Sequence, residues 1–108
     1  VKRGEVWTSA GPGYATKPRP VVIIQDDRFD ATASITVALV TTDRTDLPLF
    51  RIPVEPEELN GLRQPSAVMT DKVMTIRRDQ LGTRIGRLSD EQMVQINRAL
   101  VVFLGIAA

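Results

Sequence analysis

Two residue types are missing from this sequence altogether: its 108 residues include no cysteine and no histidine. Without cysteine there is neither a disulfide framework nor a thiolate metal site. Without histidine the commonest acid–base group is gone, and a metal ion would find only oxygen ligands. Any catalysis must therefore run on Arg, Lys, Asp, Glu, Tyr, Thr or Ser. Long apolar runs are missing too. The longest, Ala99 to Ala108, is interrupted by Gly105 and falls short of the roughly 20 residues that span a bilayer. The basic start VKRGEVW is not followed by the apolar region of a signal peptide. The expectation is a cytoplasmic protein with no membrane partner. A large charge of either sign is also absent: 14 Lys and Arg stand against 13 Asp and Glu, a formal net charge of +1. That argues against wholesale coating of nucleic acid but permits a local basic groove with the acids elsewhere.

What is present suffices for one packed interior. Hydrophobic residues make up 43% of the chain, and its length suits a single small domain over residues 1–108. GEVWTS reads as a first strand, and AGPGYATKP as a surface loop carrying Tyr14 and Lys17. RPVVIIQ is a strand whose uniform apolarity predicts burial on both faces. After the turn-rich DDRFDATAS comes the strand ITVALVTT. LFRIPV alternates, with Pro53 marking an edge strand or a bulge. SAVMTDKVMTI is a strand with an imperfect apolar phase, which predicts a bulge or bend, and TRIGRL is a small last strand. In SDEQMVQINRALVVFLG, Ser89 and Gln92 have capping-box spacing, and Asp90 and Glu91 complement the positive helix end. Met93, Ile96, Leu100 and Leu104 line one helical face, broadened by Val101 and Phe103. The pattern predicts a mainly β fold: a curled antiparallel sheet of five or so strands with a C-terminal helix packed against it.

KPRPVVIIQDD sets Arg19 between two prolines. Pro18 and Pro20 each have a fixed φ and no N–H, and Pro20 biases Arg19 toward extended backbone. Such a charge is either aimed at a ligand or simply part of a rigid start to the strand. RPVVIIQ and ITVALVTT most naturally form an antiparallel hairpin. With Ile24 opposite Thr36, Arg19 falls opposite Thr41 at the open end, beside the TDRTDLP loop. Asp26 and Asp27 then lie at the closed end, roughly 20 Å away.

Four segments now carry a likeness: KRGEVW, RPVVIIQDD, VALVTT followed by LP, and SAVMTDKVMTI followed by LGTRIGRLSDEQM. In order and spacing, over nearly the whole chain, they resemble the MazF/PemK/Kid family, the toxin halves of toxin–antitoxin pairs. The resemblance implies an SH3-like, partly open antiparallel β-barrel that works as a homodimer. It implies metal-independent cleavage of single-stranded RNA, messenger RNA included, at short sequences. It also implies a cognate antitoxin with a disordered acidic segment that mimics RNA along the groove. The family's R-P arginine matches Arg19, its threonine after the third strand matches Thr41, and its acidic residue matches Asp71, with Ser66 opening that motif. These three are the expected catalytic residues. Tyr14, Lys17, Thr42, Arg44, Lys72 and Arg77 are the expected RNA contacts, Tyr14 as a stacking surface and the cations toward phosphates. The chain departs from the family pattern twice. Many relatives carry Glu-Gln where this chain has Tyr14 and Ala15, and some carry an arginine where it has Met69.

Metal-free RNA cleavage uses the neighbouring 2′-OH as nucleophile. It needs a proton acceptor, donors for the charge building on the phosphate, and a proton for the leaving 5′ oxygen. A guanidinium such as Arg19 suits the second need, being planar and permanently charged. Asp71 is the obvious carboxylate, with Lys17, Lys72 and Tyr14 as further acid–base candidates. Thr41 and Thr42 suit hydrogen-bond donation better than proton abstraction. A reading from a different class is a non-catalytic relative, either a protein-binding toxin like the gyrase poisons on the same scaffold or a regulatory binder of RNA or antitoxin. The set Arg19, Thr41 and Asp71 separates the two, because a protein poison has no need of phosphate-facing residues.

Overall fold

A computed structural model describes residues 1–11 and 15–107, the side chains of residues 15 and 16 excepted. Within it six strands run antiparallel: β1 (Glu5–Gly11), β2 (Ala15–Ile23), β3 (Ser34–Thr41), β4 (Arg51–Val54), β5 (Ser66–Arg77) and β6 (Leu81–Arg87). Their order in the sheet is β4-β5-β3-β2-β1-β6, so the sheet is curled but not closed. One helix, α1 (Asp90–Phe103), follows. Among the described residues no helix is long and apolar enough to cross a membrane.

Strand β2 shows why its sequence is apolar without alternation. Val22 packs on the helix side with Val6, Ala38 and Ile96, while Val21 and Ile23 pack on the opposite face with Ile35, Val37 and Ile76. Both faces are covered, the second by Val1, Trp7, Met74 and Leu81 packing against that cluster. Each fully buried Val or Ile contributes about 1.5–3 kcal/mol of apolar burial. At the sheet edge, β4 carries Pro53 where a central strand would not tolerate it.

The predicted irregularity of β5 is a large one. Ala38 pairs with Val73 but the next residue, Leu39, pairs with Met69, so Thr70, Asp71 and Lys72 bulge from the ladder. Buried Thr70 anchors the bulge, its N–H and hydroxyl both donating to the Phe50 carbonyl at 2.9 and 2.6 Å.

Two expectations need correction. The Gly/Pro loop is shorter than predicted. β1 runs on to Gly11 and β2 starts at Ala15, with Gly11 paired to Ala15, so Lys17 lies in a strand. Extended backbone at Pro18–Pro20 is compatible with pairing to β1, which composition alone does not reveal. The helix stripe also ends earlier than predicted. Ser89 caps the helix as expected, its Oγ accepting from the Gln92 N–H at 3.1 Å while the Gln92 side chain accepts from the Ser89 N–H at 2.9 Å. The buried positions, however, are Ile96 and Ala99, whereas Phe103 and Leu104 are 48% and 57% exposed. The helix outruns the sheet beneath it, and Leu104 falls just past its last turn.

Candidate active site

The hydrogen-bond parity of β2 explains the proline pair. The Ile24 N–H donates to the Thr36 carbonyl at 3.2 Å, confirming the predicted register. Alternate residues of an antiparallel strand point their N–H the same way, so positions 22, 20 and 18 face β3. Two of those three are prolines and have no hydrogen to give. The β2–β3 ladder accordingly runs from Ile23↔Val37 to Val21↔Leu39 and stops. Beyond it the strands part around a cleft of about 280 Å³, lined by Arg19, Pro20, Leu39, Val40, Thr41, Thr42, Ser66 and Met69.

Arg19 stands on β2 paired to Ser9 of β1, exposed and without an ion pair among the described residues. Across the cleft, the Thr41 Oγ1 accepts the Asp43 N–H at 3.0 Å. That bond occupies one lone pair and leaves the Thr41 hydroxyl proton free to donate. Thr42 is exposed beside it. Two of the three predicted catalytic residues therefore share one cleft.

Asp71 does not line it. Its carboxylate sits in the β5 bulge and is gripped by Arg51 of β4, with Nε to Oδ1 at 3.2 Å and Nη2 to Oδ2 at 3.1 Å. Both side chains are only 15% exposed. The Arg51 hydrogen bonds hold the Asp71 carboxyl below its ordinary value, against the opposing effect of burial. A carboxylate so stabilised is a poor proton acceptor.

The expected RNA contacts scatter. Lys17 is exposed on the same strand as Arg19, and Lys72 is exposed in the bulge. Arg44 pairs with Glu55 at 3.0 Å and lines a different groove, between the 44–49 segment, β4 and the helix. Arg77 pairs with Asp79 at 3.0 Å and stands opposite Ser34, at the far end of β3 from Thr41. Tyr14 lies outside the described residues. Sequence reasoning missed Arg51, which in LFRIPV alternates like any outward strand residue. It also missed Leu39 and Met69 as cleft walls. One available signal was the imperfect apolar phase of β5, which marked the bulge that turns Met69 toward the cleft.

Fold and site together define a small β protein that presents an exposed guanidinium and an oriented hydroxyl at a gap between strands, a frame for an anionic ligand. Residues 2–104 match the family described as PemK-like, MazF-like toxin of type II toxin-antitoxin system, and the chain belongs to that family. A protein named probable endoribonuclease MazF from Mycolicibacterium smegmatis is 56% identical over 108 residues, 99% of each chain. Endoribonuclease MazF9 from Mycobacterium tuberculosis is 28% identical over 98% of each. Among solved structures, a mycobacterial endoribonuclease in complex with its cognate antitoxin superposes with a TM-score of 0.83 at 27% identity, covering 100% of this chain and 98% of that one. The Mycobacterium tuberculosis toxin MazF-mt6 gives 0.82 at 28% identity, covering 96% and 99%.

Proposed function

We propose that this protein is an endoribonuclease toxin that cuts single-stranded RNA, messenger RNA included, and is neutralised by a cognate antitoxin. The observation that carries the reading is the 56% identity, end to end, to a relative named as an endoribonuclease. The cleft between β2 and β3 agrees with it. Cytoplasmic action as a homodimer belongs to the same proposal, and the exposed apolar end of the helix, Phe103, Leu104 and Ile106, offers surface for a second copy to cover.

In the proposed reaction the 2′-oxygen of one ribose attacks the adjacent phosphorus while its proton passes to solvent water. The bond from phosphorus to the 5′ oxygen breaks and that oxygen takes up a proton from water, giving a 2′,3′-cyclic phosphate and a 5′-hydroxyl. Arg19 donates to the non-bridging oxygens as charge gathers on them; one preorganised donor of this type lowers a barrier by about 3–4 kcal/mol. The Thr41 hydroxyl, oriented by Asp43, donates to the phosphate or to the departing oxygen. Asp71 is assigned to holding the β5 bulge through Arg51 rather than to proton transfer. Cleavage is proposed to need no metal, the 2′-oxygen serving as nucleophile and Arg19 as the positive partner of the phosphate.

Incubating the wild type and Arg19→Ala with a long single-stranded RNA in EDTA, and mapping the product ends, tests the reading. Discrete cuts with the stated termini, lost in the variant, are expected. Intact RNA across varied sequences would defeat it.

A further inference from the structure

The cleft has two chemistries, and phosphate recognition uses only one. Arg19, Thr41 and Thr42 supply charge and hydroxyls. One wall is apolar: Leu39 of β3 and Met69 of β5, directly paired across the ladder and both half-buried. A phosphate gains nothing from such a wall. Leu39, Met69, Thr41 and Arg19 all stand at odd positions on the face of the sheet away from the helix, so anionic and apolar sites lie side by side.

We propose that the Leu39–Met69 wall is a base-binding subsite, taking the nucleobase next to the phosphate that Arg19 holds. The ligand class follows from the composition, since a planar, weakly polar ring joined to an anion within one nucleotide length is what this cleft accommodates. A methionine thioether is polarizable and packs well against aromatic edges and faces. Met69 is also fixed in place. Thr70, the next residue, is bound twice to the Phe50 carbonyl, and Arg51, paired opposite Met69, is locked onto Asp71. A wall held on both sides is a shape filter rather than a loose contact, so Met69 is a specificity-determining residue. The inference rests on the RNA reading above, but base binding is measurable without cleavage.

The test compares wild type, Met69→Leu and Met69→Ala, each checked for an unchanged thermal transition. The ligands are short single-stranded oligonucleotides carrying each of the four bases beside one fixed phosphate. With 2′-deoxy substitution at that position the oligonucleotide lacks the nucleophile, and fluorescence anisotropy reads binding alone. Removing the thioether arm should weaken the preferred base about tenfold, as expected for an apolar pocket contact, and flatten the preference among the four. Met69→Leu should keep most of it. In the cleavage assay Met69→Ala should raise KM with kcat held within about twofold, and broaden the cut map at one position. Should wild type bind with a Met69-dependent base preference yet cut nothing, the subsite stands and the nuclease reading falls. Equal affinity of Met69→Ala and wild type for all four oligonucleotides would overturn the subsite, whatever the cleavage result. So would a loss independent of the base.

Discussion

Arg51 and Asp71 meet through a two-pronged ion pair across β4 and β5, yet they are not register partners. Arg51 is paired with Met69, and Asp71 reaches it from the bulge two residues further on. The bulge brings a carboxylate back toward the edge strand and fastens it there. The sequence motif that pointed to Asp71 as an acid–base group is therefore read differently once Arg51 is in view. The pair ties the short edge strand to β5 immediately beside the cleft.

Replacing the carboxylate separates structure from chemistry. Asp71→Asn removes the charge but not the volume, and leaves a mostly buried Arg51 without its counter-ion. A loss of about 1–3 kcal/mol in urea unfolding is expected for a charged hydrogen-bonded pair of this burial. The pH profile of RNA cleavage should keep its shape, measured where the variant remains folded. A displaced limb in that profile would return Asp71 to proton transfer.

The same pair gives a pH dependence of stability. The folded-state pKa of Asp71 lies below its ordinary value of 3.8, chiefly through the Arg51 hydrogen bonds. In acid the unfolded chain therefore takes up the proton more readily than the folded one, and acidification favours unfolding. The contribution is fully present above the ordinary carboxylate range and is lost as pH falls through the depressed folded value. Unfolding free energies at pH 6 and in the pH 3 range should thus differ less in Asp71→Asn than in wild type. Equal acid sensitivity of the two proteins would remove this pair as a source.

Arg19 makes the opposite prediction. It is exposed and, among the described residues, carries no ion pair, so its removal leaves no buried partner stranded. Arg19→Ala should retain the melting temperature within a degree or two, while kcat falls about 10²–10³-fold, the usual cost of one preorganised donor. Arg19→Lys should recover only part of the rate, because an ammonium lacks the planar fork. A large fall in melting temperature would instead assign Arg19 to the framework.

Pro20 offers a direct way to close the cleft. In the observed register position 20 faces Val40, and its missing N–H ends the ladder there. Pro20→Ala restores a donor at that place, so β2 and β3 can pair one step further. The expected result is a new residue 20 amide that is protected from hydrogen exchange, unchanged or slightly raised stability, and a lower kcat/KM. Unaltered cleavage by a variant whose residue 20 amide is protected would show that the gap is not required.

Most of the frame was legible in the residues because its signals are local. The capping box at Ser89, the edge-marking Pro53 and the unbroken apolar run of β2 each act within a few positions. The register of β2 against β3 was legible too, since a short connection leaves few pairings. Arg19 and Thr41 share a cleft for that reason. The Arg51–Asp71 pair was not legible, because the partners are 20 residues apart and depend on a three-residue bulge whose size no local pattern encodes. Leu39 and Met69 were hidden for a related reason: an apolar residue bordering a gap looks in sequence like one filling a core.

The loop before β5 supplies a last test, of packing away from the cleft. Gly86 on β6 lies flat against this loop: an added Cβ would sit 2.4 Å from the Leu59 carbonyl oxygen and 2.5 Å from the Asn60 carbonyl carbon. Both atoms are backbone, and the loop is held by buried Asn60, whose Oδ1 accepts the N–H groups of Glu57 and Leu62 at 3.1 and 2.9 Å. The loop cannot yield cheaply, so Gly86→Ala should cost about 1–3 kcal/mol by overpacking. Gly105 is the contrast. Its φ is +72° but nothing lies within 4 Å of an added Cβ, so Gly105→Ala should cost about 1–2 kcal/mol through backbone conformation alone. Urea midpoints measure both. Adding a relaxing substitution at Leu59 or Asn60 cannot rescue Gly86→Ala, because the clash is with main-chain atoms. Recovery of stability in such a double variant would mean that the loop shifts more easily than its hydrogen bonds imply.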